Sequence, residues 1–216
     1  MFRAVLILAA CCSPLAASAQ HALTGAEYVH AMSLLAGADH TVRQQSLKTL
    51  KGELLVGVLL PTLATETLES KAILYVAQLR TDGIVQESVK SEPFPFYTAG
   101  GKYYIEDIQL TSSDRFSIQF NQRAEACGGG YEIYRFALLA GVWRVSGRDM
   151  SRFQCRGSAE GVEDSRTEWS ANYRTGRVIV REFRHHRLVS TKRQQRNFPV
   201  FLLRSFHTTD SRYGPR

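Results

Sequence analysis

Arg115-Phe116-Ser117-Ile118-Gln119-Phe120 alternates polar and apolar residues without a break. Successive side chains of a strand point to opposite faces, so the stretch predicts a half-buried strand with its two phenylalanines and isoleucine turned inward. Ser112-Ser113-Asp114 before it is turn chemistry. The same period of two begins near Ala72, where Ile73, Tyr75, Ala77 and Leu79 alternate with their neighbours. Thr81-Asp82-Gly83 then turns the chain, and residues 84–89 return as a partner. Gly100-Gly101 leads into residues 102–110, and residues 131–139, 142–148, 167–174 and 177–183 continue the series. Ala140-Gly141 and Thr175-Gly176 are short connections, which favour antiparallel neighbours. Residues 188–193 and 200–203 are expected to add a last pair. Glu92-Pro93-Phe94-Pro95-Phe96 is excluded from a central strand, because two prolines remove backbone donors. The regular spacing predicts a mainly β fold, an antiparallel sandwich or curved sheet spanning residues 71–207.

Residues 20–70 read instead as a helical segment. Thr24-Gly25-Ala26-Glu27 is a capping-box pattern, followed at helical spacing by Tyr28, Ala31, Met32 and Leu35, with Gly37 as terminator. Leu47, Leu50 and Leu54 predict a second helix ending near Gly52 or Gly57. Residues 54–60 are too uniformly apolar to assign by period, and Pro61 stops the run. One or two N-terminal helices are thus expected to cover one face or end of the β domain. Residues 208–216 are expected to form a flexible tail.

Composition sets the class. With 44% apolar and 22% charged residues in 216, the chain is ordinary globular protein rather than a disordered one. Met1-Phe2-Arg3 supplies a positive charge, residues 4–12 are apolar, Pro14 breaks the run, and Ala17-Ser18-Ala19 offers small residues for cleavage. Residues 1–19 therefore read as a secretory signal, and the protein is expected to be periplasmic or secreted. The apolar run falls short of the roughly 20 residues that span a bilayer, and no later stretch reaches that length. No transmembrane segment is expected. Leu8-Ala9-Ala10-Cys11 has the shape of a lipobox, which makes lipid anchoring through Cys11 the rival reading. Two of the four cysteines leave with the signal, and the remaining pair, Cys127 and Cys155, reads as a disulfide in an oxidising compartment. A nucleophilic Cys127, set before Gly128-Gly129-Gly130, is the alternative and needs a free thiolate.

Gly141-Val142-Trp143-Arg144-Val145-Ser146-Gly147, followed by Trp169-Ser170-Ala171-Asn172-Tyr173-Arg174-Thr175-Gly176-Arg177, resembles a pairing in uncharacterised exported bacterial β-rich proteins. There a Trp-Arg-x-x-Gly strand precedes a Ser-x-Asn-Tyr-x-Thr-Gly hairpin. The resemblance covers residues 72–206 in outline and implies a periplasmic or secreted β-rich protein without implying an activity. An acidic Gly-Asp-rich turn often precedes the first strand of that family; residues 62–70 stand there instead, so no metal role is carried over. The residues themselves have simpler reasons. Gly176 suits a left-handed turn position, and Asn172 can bond back to the backbone to hold the hairpin. Trp143 and Trp169 read as packing anchors, or as a stacking platform for a sugar if their rings are exposed.

Chemistry-bearing patterns are sparse. His21, His30, His40, His185, His186 and His207 form no zinc spacing, and neither a nucleophile elbow nor a phosphate loop occurs. Two minor metal readings are a chelate at a free terminus near His21 and a site using His185 or His186. The adjacent acids Glu106-Asp107 would point to opposite strand faces. No cofactor is implied, and no catalytic residue is assigned.

Charge is distributed unevenly. The chain carries 27 Lys and Arg against 20 Asp and Glu, yet residues 123–216 alone hold 18 basic and 9 acidic residues. Within residues 174–204 the acid is Glu182 alone against nine cations. Arginine grips carboxylate and phosphate bidentately, so this segment predicts an anionic partner. The candidate anion-binding residues are Arg177, Arg181, Arg184, Arg187, Lys192, Arg193 and Arg196, with Arg177, Arg181 and Arg187 sharing strand parity. The partner would be an anionic envelope polymer, a lipid head group or an acidic protein; nucleic acid is not expected of an exported chain. A solvated face serving solubility weighs equally against this. The leading expectation is a non-enzymatic β-sandwich, and the alternative is an envelope hydrolase or hydrolase inhibitor. If Cys127 and Cys155 are bridged, replacing both with serine should lower unfolding free energy under oxidising conditions by roughly 3–4 kcal/mol for a loop of about 29 residues, measured by urea titration.

Overall fold

Gly52–Pro61 and Lys71–Leu79 are nearly uniform in hydropathy because both of their faces are covered. Leu54, Val56, Val58, Leu74 and Val76 enter one apolar cluster, while Leu55, Leu59, Tyr75, Ala77 and Leu79 enter another. A strand buried on both sides has no reason to alternate. The computed structural model describes residues 22–36, 40–50, 52–61, 71–95, 103–123, 128–155 and 163–208. Its elements are α1 (Gly25–Ala36), β1 (His40–Thr49), β2 (Gly52–Pro61), β3 (Lys71–Leu79), β4 (Val85–Lys90) and β5 (Phe94–Pro95). There follow β6 (Tyr103–Ser112), β7 (Arg115–Arg123), β8 (Gly128–Leu139), β9 (Val142–Cys155), β10 (Glu163–Asn172), β11 (Arg177–Arg184) and β12 (Arg187–Gln195). A short 3-10 turn, Leu203–Ser205, comes last.

All strand pairs are antiparallel and form two sheets. The smaller runs β1-β2-β3-β4, with β5 pairing β3 off that path; the larger is a meander in the order β12-β11-β10-β9-β8-β7-β6. The chain is mainly β, as its alternation predicts. Phe116, Ile118 and Phe120 are all buried, and Phe116 stacks on Phe136 with ring centroids 4.5 Å apart. With Tyr134, Met150, Trp169 and Ala171 they pack against Leu54, Val56, Val58 and Leu74 of the smaller sheet.

The capping box forms as its residues require. The Thr24 amide donates to Glu27 Oε2 at 2.7 Å, and the Glu27 amide donates to Thr24 Oγ1 at 3.3 Å. Tyr28 and Met32 then bury one helix face on the smaller sheet, with Tyr28 edge-on to Tyr75 at 5.9 Å. The second expected helix is absent. Its residues form the β1–β2 hairpin, in which Thr49 pairs with Gly52 and Leu50 is fully exposed at the turn. The Leu47, Leu50 and Leu54 spacing mimicked a helix face, but only a strand lets β2 present apolar side chains to both layers.

The C-terminal segment departs from expectation too. Residues 200–203 make no strand pair beyond an isolated bridge between Leu202 and Arg144. Phe201, Leu203 and Phe206 plug the core instead; Phe206 meets Phe94 at 5.2 Å, Tyr134 at 5.0 Å and Phe136 at 5.3 Å. The Val145 amide donates to the Phe201 carbonyl at 2.9 Å and the Glu92 amide to the Arg204 carbonyl at 2.7 Å. The segment therefore ties β9 to the chain just beyond β4. Thr208, the first residue of the expected tail, is buried; residues 209–216 lie outside the described residues.

One ion pair sits inside this apolar core. Arg148 Nη2 lies 2.8 Å from Glu132 Oε1, and both side chains are buried. Tyr134 Oη shares its one proton between Glu132 Oε2 at 3.0 Å and the Thr208 carbonyl at 2.9 Å. Burial alone would lower the Arg148 pKa, but Tyr134, Glu132 and Tyr173 outweigh it and hold the guanidinium above its ordinary value. Strand parity was the available signal, since Glu132 shares parity with Tyr134 and Phe136, and Arg148 with Met150. Removing one partner strands a charge in the core. Arg148→Met should therefore lower unfolding free energy by about 3–5 kcal/mol in urea titration, and adding Glu132→Leu should recover part of that loss.

Candidate functional site

The β10–β11 hairpin that carries the basic segment is locked by its own residues. Asn172 Oδ1 accepts from the amides of Arg174 at 3.1 Å and Thr175 at 3.0 Å. Gly176 has φ +74°, and a Cβ there would lie 2.2 Å from the Arg196 carbonyl oxygen, so the position admits glycine alone. The Gly176 carbonyl in turn accepts from the Arg196 amide at 2.8 Å. Arg184 and Arg187 flank the next turn, where His185 and His186 both take positive φ, as a two-residue hairpin turn requires.

Directly opposed residues of an antiparallel pair share a face, so register sorts six of the seven cations; Arg196 follows β12. Ile179 pairs with Arg193 and Arg181 with Thr191, which places Arg177, Arg181 and Arg193 together on the outer face of the larger sheet. Val180 pairs with Lys192 and with the buried Trp169, so Lys192 lies on the opposite, inner side. Arg184 shares that inner side with Glu182, and Arg187 pairs with Arg184. Arg187 therefore does not extend the Arg177 and Arg181 row: it belongs to the next strand, and the pairing shifts between Glu182 and Phe183. The cations form a ribbon charged on both faces, not a one-sided patch.

Their partners differ. Arg181 Nη1 is 3.7 Å from Glu168 Oε2, and Arg166 Nε is 3.4 Å from Glu168 Oε1. Lys192 Nζ is 3.4 Å from Glu182 Oε1. Glu182 is held below the ordinary carboxylate range, first by the Ser190 hydroxyl and then by Lys192. Arg196 Nε donates to Gln194 Oε1 at 2.9 Å. Arg177, Arg184, Arg187 and Arg193 are exposed and make no ion pair with any described residue.

The other sequence candidates are placed as follows. Trp143 and Trp169 are both buried in the inter-sheet core, so neither ring is available for a sugar and the packing role holds. Cys155 ends β9 and is disulfide-bonded; Cys127, Cys11, His21 and residues 62–70 lie outside the described residues. His185 Nδ1 lies 3.6 Å from Asp164 Oδ1 at the solvated hairpin end. Glu106 accepts from Asn121 Nδ2 at 3.1 Å and Asp107 from Gln109 Nε2 at 2.8 Å, each engaged separately. Among the described residues no three His, Cys, Asp or Glu side chains converge to hold a metal, and no helix is long and apolar enough to cross a membrane.

Three cavities of about 400, 180 and 430 Å³ are lined by described residues. None of the three is lined by a histidine or by more than one acid, so none assembles a paired-carboxylate site. No protein-family model, no curated protein and no solved structure matches the chain.

Proposed function

We propose that the protein is an exported, non-enzymatic β-sandwich that binds an anionic envelope component or an acidic protein through the β11–β12 ribbon. The observation that carries this reading is the pairing of Arg184 with Arg187 across the ribbon's end. Like charges placed directly opposite cost roughly 0.2–1 kcal/mol. Arg187 makes no ion pair with a described residue, and Arg184 has only the same-face Glu182, whose carboxylate it stabilises without forming an ion pair. An anion seated at the ribbon's end offsets that repulsion; solubility alone does not require the two charges to face one another. Arg177, Arg181 and Arg193 extend the positive field along the outer face, and Lys192 adds to the inner one. Charged side chains on an open edge strand also discourage pairing with another chain, so the ribbon favours side-chain contacts over strand addition.

Export is part of the reading and rests on the leader at residues 1–19 and the likeness to exported bacterial β-rich proteins. Release as a soluble periplasmic or secreted protein follows from cleavage after Ala19, and anchoring from lipidation of Cys11. The bridge partner proposed for Cys155 is Cys127. Gly128 pairs with Gln154, and in the sequence Cys127 precedes the one as Cys155 follows the other.

The test is retention on an envelope fraction at two salt concentrations. Reversing Arg181, Arg184 and Arg187 to glutamate should cut retention at least tenfold, and raising the salt should weaken capture of the unaltered protein, because charge pairing is screened. Undiminished retention of the triple variant would overturn the reading. Mass measurement of the mature N-terminus distinguishes soluble release from anchoring.

A further inference from the structure

The cavity of about 400 Å³ lies at the other end of the outer face, where β7, β8 and β9 approach the β10–β11 turn. Its lining includes Arg115, Arg135 and Arg174, and none of the seven ribbon cations. No Asp or Glu lines it. Of these three, Arg135 is paired with Asp149, which leaves Arg115 and Arg174 as the cations at the hollow without an ion pair to a described residue.

The hollow is built by backbone irregularity. The β8–β9 pairing shifts between Arg135 and Phe136, and Ser146 Oγ donates to the Arg135 carbonyl at 3.2 Å across that bulge. Bulges redirect side chains and recur beside binding sites. Arg135 is immobilised: it pairs with Asp149 and donates from Nη2 to the Ala171 carbonyl at 2.8 Å. It lies flat because residue 147 is glycine, since a Cβ there would sit 2.7 Å from Arg135 Nη2 and 2.6 Å from the Ala171 carbonyl. Arg135 is therefore a fixed wall. Arg115 and Arg174 are exposed and form no ion pair with a described residue. Asn172 fixes the Arg174 backbone, and Ser117, Ala137 and Leu139 supply a hydroxyl and an apolar surface between the cations. The volume falls in the range of small-molecule sites, which combine apolar lining with a few placed polar groups.

We propose that this hollow binds a compact organic oxyanion, a carboxylate or phosphate carried on a small apolar body. Arg115 and Arg174 grip the oxyanion from two sides, in the bidentate manner that guanidinium geometry allows. Arg135, held by Asp149 and the Ala171 carbonyl, forms the fixed wall between them, and Ala137 and Leu139 receive the apolar body. The site is separate in its residues from the β11–β12 ribbon.

Titration of the full chain with phenylphosphonate and with benzoate, followed by calorimetry, tests this. Saturable binding of at least one of them is expected, with a loss of at least tenfold in the Arg115→Gln, Arg174→Gln double variant. Both side chains are exposed, so the variant's melting temperature should match the parent's. Neutral benzamide should bind at least tenfold more weakly than the anions. The proposal is overturned if neither anion saturates, if the double variant binds unchanged, or if benzamide binds equally well. The Arg181, Arg184, Arg187 reversal should leave phenylphosphonate binding intact. A parallel loss there would move the anion to the ribbon and overturn the hollow, while failure of the ribbon's envelope retention alone leaves the hollow standing.

Discussion

The larger sheet is wider than the sheet that packs on it. At a strand spacing of about 4.8 Å, the seven strands span roughly 29 Å and the four on the smaller sheet's path roughly 14 Å. The rest of the molecule answers that mismatch. The C-terminal chain packs against the larger sheet, where Phe198 and Phe201 meet Tyr173 at 4.7 and 5.0 Å and Phe206 lies beside Phe94 and Tyr134. Burial thins out across β11, and β12 is the most exposed strand of the sheet. Val178 is the last fully buried residue in that direction, and β12 is exposed along nearly its whole length. The ribbon is wet on both faces, and most of its exposed side chains are polar or charged, although Leu188 and Val189 are exposed there too.

The same geometry explains why a charged network is tolerated in the core. Glu132, Arg148 and Tyr134 face inward where β8 and β9 run beneath the C-terminal segment, and Tyr134 reaches the Thr208 carbonyl there. An apolar cluster alone would accept several positions of that segment. A phenol, a carboxylate and a guanidinium bonded to one another and to one particular carbonyl accept far fewer. Buried ion pairs add little net stability, and the contribution expected of this one is register.

Much of the fold was legible because it rests on local chemistry. The alternation at residues 115–120, the Thr24–Glu27 cap, the positive-φ glycines at 141 and 176 and the Asn172 side-chain bonds all stand where neighbouring residues require them. The errors fell where burial was decided at a distance. Leu47, Leu50 and Leu54 matched a helix face, and only α1 packing on one side and the larger sheet on the other make β2 a strand. The cations were legible as a set of seven but not as two faces, because parity is carried across a turn and through a pairing shift at Glu182. The hollow of Arg115, Arg135 and Arg174 was not legible at all, since its members lie on β7, on β8 and in the β10–β11 turn.

The sequence by itself determined the strand class, the turns, the helix cap, and that a basic excess resides in the C-terminal third. Each of these follows from what a residue does to its near neighbours through φ restriction, side-chain alternation or a capping bond. Tertiary structure decided which surface each charge occupies, which tryptophans are closed to solvent and where three arginines converge. Those outcomes depend on register and on coverage by distant strands, which no local spacing encodes.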